Sequence, residues 1–279
     1  MVEYTEQDVQ LAKLFAKMFI ARPELKAVQN SDGSYRPLRG EPFKLPDLLT
    51  HINGRHTYGH YTTNENDETK LFCFDIDLEQ TGMLPIQKNG YGQFLMFKDA
   101  NPREHWGSRA PGAARDFIKL QLKMLANQLM SAINKELEIP TAATYSGSKG
   151  VHVYGFTGKT SAQVARDGAK IVLDTLRNTE QGYWMLSRGN NFYRYGHDDQ
   201  TQHNDPSMNA SQFSLEVYPK QDSLEGKEKG LGNLLRLPMG VNLKSPKRDK
   251  GFFLDMRGPL TEFAPRDAVD ALTVKNPWQ

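Results

Sequence analysis

A mixed α/β domain is the fold this sequence predicts. Three observations carry that expectation: apolar stripes at helical spacing, short runs of aromatic and β-branched residues between them, and turn formers bounding both. The first stripe is Leu11, Leu14, Phe15, Met18 and Phe19, which follows a polar Thr5-Glu6-Gln7-Asp8 opening, precedes Pro23 and reads as a helix. Residues 24–50 mix charges with Gly33, Pro37, Gly40, Pro42 and Pro46, the composition of a surface connector, so regular structure is expected to resume near His51. Residues 69–78, 141–145, 151–156 and 213–218 are the β-like runs. Ile118, Leu122, Leu125, Leu129 and Ile133 form a second helical stripe. Val164, Gly168, Ile171, Val172 and Thr175 form a third, with Thr160-Ser161 as its N-cap. Residues 187–212 are polar, dense in Asn, Asp, Gln and Gly, and longer than a usual connection, so they read as either a disordered segment or a working loop.

Composition narrows the function classes. A chain of 279 residues suits one large domain or two intimate subdomains. Hydrophobic residues make up 38%, mean hydropathy is −0.63, and no apolar run approaches the roughly 18 residues of a membrane span, which argues against an integral membrane protein. The N-terminal Met-Val-Glu-Tyr-Thr-Glu-Gln-Asp lacks the basic start and apolar stretch of a secretory signal, so a cytoplasmic, non-secreted protein is expected. Cys73 is the single cysteine, which excludes an internal disulfide and a zinc ribbon. With 35 basic against 33 acidic residues the net charge is +2, so any nucleic-acid contact must come from local clustering of Lys and Arg.

Chemistry gathers in three places. In Leu71-Phe72-Cys73-Phe74-Asp75-Ile76-Asp77-Leu78-Glu79, strand alternation puts Asp75 and Asp77 side by side on one face. Such a pair either ligates two divalent ions or lines an exposed edge with alternating acids. The second, Tyr145-Ser146-Gly147-Ser148-Lys149-Gly150-Val151-His152, is a small polar loop between two β-like runs. It reads as an anion cradle with a point charge at Lys149, or as an ordinary hairpin turn. The third runs from Leu215 to Gly251. Glu216 sits in an apolar run where an unpaired charge is costly, and Arg236, Lys244, Lys247, Arg248 and Lys250 face only Asp249 as local counter-charge. Val153 to Thr160 imitates a P-loop but has Val153 where the first glycine belongs, so no ATPase site is read there.

In this order the segments resemble the archaeo-eukaryotic primase superfamily: a hydrophobic strand ending Asp-x-Asp, then Ser-Gly-x-Lys-Gly-x-His, then a single strand acid, then an Arg/Lys-x-Pro segment. The resemblance spans about residues 51–258. It favours the primase-polymerase branch, including forms from phages and CRISPR-associated or conflict-system loci, through Glu216 to Gln221, Gly232 to Pro238, and His51-Ile52-Asn53-Gly54-Arg55 with Thr57 to Tyr61. Its Ser146-to-His152 loop also looks like that of bacterial end-joining ligase polymerase domains.

The resemblance implies an α/β (α+β) catalytic core of two interleaved halves, the second like an RNA-recognition sheet, with the site in the cleft between them. Residues 51–258 would form this core, 1–50 an N-terminal helix and connector packed on it, and 259–279 a C-terminal extension or linker. Asp75, Asp77 and Glu216 would hold two Mg²⁺ or Mn²⁺ ions, and no zinc is expected. Ser146, Ser148, Lys149, His152 and Arg236 would hold the nucleotide's triphosphate. Asn242 stands where many relatives carry histidine, Lys244 would extend the basic wall, and Tyr61, 14 residues before Asp75, is either a sugar-contacting tyrosine or a packed aromatic.

The implied activity is DNA-directed synthesis on a single-stranded template, from dNTPs or NTPs, with or without a primer strand. A helicase domain or protein is a further partner the family admits. An extension-only repair polymerase and an inactive single-strand-binding module are the alternatives, and a metal-dependent nuclease has no use for the triphosphate loop. Arg188, Phe192, Tyr193, Arg194 and Tyr195 mix cations with aromatics, as template contacts do. His197 and His203 have no further zinc ligands nearby and read as solvated loop residues. Cys73 is expected to pack beside the aspartates, its thiol pKa raised by like-charge repulsion.

Overall fold

A computed structural model describes residues 4–78, 87–88, 94–95, 112–177, 184–187, 192–196, 213–226, 230–245 and 247–273. Helix α1 (Glu6–Met18) starts at a reciprocal cap, in which the Thr5 hydroxyl accepts from the Asp8 N–H and the Asp8 carboxylate accepts from the Thr5 N–H. Its Leu11, Ala12 and Phe15 are buried, together with Phe19 just beyond its end.

The stretch expected to be a connector is instead structured. Strands β1 (Lys26–Gln29) and β2 (Tyr35–Leu38) form a hairpin around Gly33, whose φ of +84° suits glycine. Helix α2 (Leu45–Ile52) follows, with Pro46 in its first turn. Strands of four residues with Pro37 at the outer edge carry too little periodicity to be read from composition. Their pairing partners are also remote: β3 (Tyr58–Tyr61) bonds β1 and is bonded in turn by β14 (Leu234–Arg236), giving the sheet order β14-β3-β1-β2. This small sheet therefore joins residues from both sides of position 50.

The main sheet has seven strands, every neighbouring pair antiparallel. From one edge they are β11 (Trp184–Ser187), β12 (Phe192–Gly196), β13 (Phe213–Tyr218), β5 (Phe72–Leu78), β9 (Gly150–Gly155), β8 (Thr141–Tyr145) and β15 (Phe252–Phe253). Two short pairs complete the strands among the described residues: β4 (Glu68–Thr69) with β10 (Thr160–Ser161), and β6 (Gln87–Lys88) with β7 (Phe94–Leu95). The run read as one strand over residues 69–78 thus divides at Lys70-Leu71 between two sheets. Residues 184–187 and 192–196 form a hairpin that extends the main sheet, so the polar stretch is not wholly loop. Arg188, His197, His203 and residues 197–212 lie outside the described residues.

Helices α3 (Gly112–Leu137) and α4 (Ala162–Arg177) cover one face of this sheet. Ile118, Leu122, Leu125, Leu129 and Ile133 of α3 are fully buried against Phe72, Phe74, Ile76, Val151, Val153 and Leu215, as the helical stripe predicts. In α4 the buried side is only partly the one expected, with Val172 buried as the stripe predicts. Val164 and Ile171 are 59% and 48% exposed, while Ala162, Ala165, Ala169, Val172 and Leu173 face the core. Alanine lets the helix lie close to its neighbours, and a stripe of larger side chains is a misleading guide there. Ser161 caps α4 by accepting from the Val164 N–H.

Over the other face lie α1, α2, the small sheet and α5 (Ala268–Thr273). Phe19 meets Tyr154 and Phe156 edge-on, and Phe15 meets Phe253. The C-terminal segment is tied in as well. The ammonium of Lys123, on a fully buried side chain, donates to the carbonyls of Gly258, Pro259 and Glu262, and α5 buries Ala268, Ala271 and Leu272. Residues 274–279 lie outside the described part. Among the described residues no helix is long and apolar enough to cross a membrane. The architecture is mixed α+β, with helices on the sheet rather than in a parallel wound order.

Candidate active site

Alternation along β5 sends Phe74, Ile76 and Leu78 into the helical core and Cys73, Asp75 and Asp77 to the opposite face. Sheet register then aligns what the chain separates. Asp75 stands opposite Glu216 on β13 and, on its other side, opposite His152 on β9. Asp77 stands between Ser214 and Gly150 in the next row on that face. The layer covering this face reaches Cys73, Tyr154 and Tyr218 and ends there. The acids beyond it are partly open, with side-chain exposures of 22% for Asp75, 39% for Asp77 and 34% for Glu216.

Each carboxylate has its own basic partner. His152 Nε2 lies 3.2 Å from Asp75 Oδ1, Lys149 Nζ 3.0 Å from Asp77 Oδ2, and Lys220 Nζ 2.7 Å from Glu216 Oε2. Two tyrosines orient this row from the covered side. The Tyr218 hydroxyl donates to Glu216 Oε2 at 3.2 Å, and the Tyr154 hydroxyl lies 3.0 Å from His152 Nδ1. With Nε2 donating to Asp75, a neutral His152 accepts from Tyr154 at Nδ1.

The two aspartates titrate apart. Burial pushes Asp75 upward, but His152, Arg236 and Lys220 outweigh it and hold this carboxyl below the usual range. Burial and the charge of Asp75 push Asp77 above it, against the pull of Lys149. Cys73 is fully buried and its thiol is raised, by burial first and by the charge of Asp75 second.

The loop of residues 145–150 is the hairpin turn between β8 and β9. The Ser146 N–H donates to the Gly150 carbonyl at 3.0 Å and the Gly150 N–H donates back to Ser146 Oγ at 3.2 Å, so the Ser146 hydroxyl closes the turn. The Tyr145 hydroxyl donates to the Ser148 carbonyl at 2.8 Å. Gly147 has φ of +72°, and a Cβ there would stand 2.5 Å from the Asp249 carbonyl oxygen. A Cβ on Gly150 would meet the Ile76 carbonyl and stand 2.5 Å from Asp77 Oδ1. The turn therefore fits against Asp77 on one side and the Asp249 backbone on the other only with glycine at both positions, and it delivers Lys149 to Asp77 and to the Leu78 carbonyl.

Arg236 approaches from the small sheet, at the end of β14, and donates to the Ser146 carbonyl. Its strand is steadied by His51, whose Nδ1 accepts from the Tyr58 N–H at 3.0 Å while Nε2 donates to the Pro238 carbonyl at 2.8 Å. Burial, with the charges of Arg236 and Lys250, holds the His51 pKa down to about 4, so this ring stays neutral.

Three further expected residues are held by local contacts. Asn242 is buried and accepts from the Lys244 N–H through its side-chain oxygen, which makes it a turn residue. Lys244 is exposed, its stem against Gly33 of the β1–β2 turn. Tyr61 is 4% exposed and packs with Leu25 and Ala27 on the small sheet, the packed-aromatic arrangement. In the ladder, Phe192 lies beside Glu216 and Arg194 beside Ser214, so β12 runs next to the acid row.

Lys220, Tyr218, Tyr154 and His51 were given no individual role from the sequence, although the first three had a signal. Lys220 is four residues after Glu216, and the two tyrosines stand two residues after Glu216 and His152 and therefore on their face.

Among the described residues no three ligating side chains are already gathered as a metal cage, each acid being turned toward its own cation. The donor set is nonetheless the hard-oxygen one that Mg²⁺ and Mn²⁺ take. The sequence matches no protein-family model and no curated protein.

Proposed function

We propose that the chain is a nucleotidyltransferase that uses Asp75, Asp77 and Glu216 to hold two divalent ions, Mg²⁺ or Mn²⁺. The observation that carries this reading is the cluster of three partly open carboxylates, Asp75 and Glu216 side by side across the strands and Asp77 in the next row, bordered by Lys149, His152 and Arg236. Bound there, the ions would supply Lewis acidity, lowering the pKa of an attacking 3′-hydroxyl and neutralising the pyrophosphate leaving group. The chain itself would supply charge and position. Lys149 and Arg236 would bind the triphosphate, Arg236 through its planar fork, and His152 would donate a ring N–H to a phosphate oxygen. Tyr154 and Tyr218 would keep His152 and Glu216 aimed, and His51 would hold the Arg236 strand in place.

Within that class we assign the chain to DNA-directed primase-polymerases of the archaeo-eukaryotic primase superfamily. The ordered motifs support this, as does their convergence, with acids and loop on one sheet and Arg236 on another that meets it at Ser146. The substrates would be dNTPs or NTPs and a single-stranded DNA template.

The test is template-directed synthesis with Mn²⁺ or Mg²⁺, with and without an annealed primer, beside Asp75→Ala/Asp77→Ala. Primer-independent products that vanish in the double variant are the expected result. Extension only from the primer would assign a gap-filling polymerase. No synthesis, with both proteins binding DNA equally, would overturn the catalytic reading.

A further inference from the structure

We propose that Lys220 is a second phosphate-binding lysine of the site, parked on Glu216 in the metal-free protein and released to the nucleotide's polyphosphate when divalent ions take the carboxylates. This inference rests on the nucleotidyltransferase reading and adds to it a residue and a coupling between two ligands.

Lys220 follows β13 at the first turn of chain beyond Pro219, and its ammonium reaches back 2.7 Å to Glu216 Oε2 while standing 4.7 Å from the centroid of the Tyr218 ring. Tyr218 thus donates its hydroxyl to Glu216 and offers its ring face to the cation beside it, which keeps both partners on the open face. The chain after Lys220 is pinned: Asp222 pairs with Arg166 at 2.6 Å, and the Leu224 N–H donates to Asp67 Oδ1 at 2.7 Å. Movement of the ammonium therefore needs only side-chain rotation. At 29% exposure the side chain has room for it.

The same arrangement recurs at Asp77, where Lys149 is the parked cation. A divalent ion and an ammonium compete for the charge of the same carboxylates, Lys149 holding Asp77 Oδ2 and Lys220 holding Glu216 Oε2, so ion binding weakens the hold on both ammonium groups. Once displaced, Lys149 and Lys220 flank the acids from opposite sides, one from the turn before β9 and one from the chain after β13, where an anion brought to those ions would lie between them. Lys220 is also near enough for its charge to bear on Asp75. Two ligands thereby become coupled, metal freeing the cations that bind phosphate and phosphate removing the cations that oppose metal.

Lys220→Met, which retains the stem and removes the charge, separates this from a merely structural ion pair. Mn²⁺ binding is measured on the nucleotide-free protein by titration calorimetry. Binding of a non-hydrolysable nucleoside triphosphate is then measured in saturating Mn²⁺, and of a single-stranded DNA oligonucleotide without nucleotide. The expected result is a pair of opposite shifts: Mn²⁺ alone binds several-fold more tightly, and the triphosphate about tenfold more weakly, with DNA affinity unchanged. Lys220→Arg restores triphosphate binding. Unchanged or jointly weakened Mn²⁺ and triphosphate binding, or a loss confined to the oligonucleotide, overturns the proposal. If Asp75→Ala/Asp77→Ala binds Mn²⁺ as the wild type does, the underlying metal reading falls instead, whatever Lys220→Met shows.

Discussion

Cys73 and Asp77 lie on the same face of the same strand, four residues apart, in opposite surroundings. Around Cys73 the face is dry, closed by Phe19, Tyr154 and Tyr218 under α1, α2 and the small sheet. Around Asp77 it is open, polar and laid with carboxylates and their cations. One sheet thus provides both a packed core and a charged site because its cover stops partway along the strands. The rigid half can hold the strands in register while the charged half need contribute nothing to stability, and a row of like charges contributes least.

Removing the charge is the strongest way to break this contrast. Asp75→Ala/Asp77→Ala should lower template-directed synthesis by at least about a thousandfold, while the midpoint of thermal unfolding stays unchanged or rises. A parallel fall in melting temperature would show that the acids belong to the stabilising half. Phe19→Ala attacks the covered end instead. Loss of its contacts with Tyr154 and Phe156 should destabilise by about 3–5 kcal/mol in urea unfolding, with metal binding retained by the folded fraction.

Acid sharpens the comparison next. His51 and His60 are buried in the covered half, their pKa values held down by burial to about 4 and about 3. A lowered histidine pKa means that the unfolded chain binds more protons, so the stabilisation is complete above pH 6.5 and is lost as pH falls toward the folded value. For His51 alone the loss should be about 2 kcal/mol at pH 5 and about 3 kcal/mol at pH 4. Urea midpoints at pH 7, 5 and 4 would reveal it, and a flat profile would contradict burial of the neutral rings. His60 adds to the effect because burial holds its pKa lower still.

The smallest expected effect lies at the boundary between the halves. Tyr154→Phe keeps the packed ring and removes the hydroxyl at His152 Nδ1, so stability should fall by about 1 kcal/mol. KM for nucleotide should rise as His152 loses its orientation, with the Mn²⁺ affinity of the free protein unchanged. An effect on stability alone would confine Tyr154 to the core.

Much of this was legible in the residues. The spacing of Ile118 to Ile133, and of Leu11 to Phe19 after a polar opening, identified two helices because a helix's buried face is a local property of its own sequence. Asp75 and Asp77 could be put on one face by alternation alone. The β1–β2 hairpin was missed because its strands are short and β1 finds its second partner in β3, beyond α2. The buried side of α4 was misread because alanine carries little hydrophobic signal yet packs closest.

The sequence by itself determined part of the inventory: the longer helical stripes and β-like runs, that two acids share a face, and that a glycine-bounded Lys149 and a later Arg236 are available to them. Those properties follow from neighbours within a few residues. Only the tertiary structure decided that Glu216 and His152 flank Asp75, that Lys220 is held on Glu216, that Asn242 serves a turn and Tyr61 a packed cluster, and where the cover over the sheet ends. The physical reason is that register and layer packing are set by the whole hydrogen-bonded sheet and its buried faces, quantities to which no single segment has access.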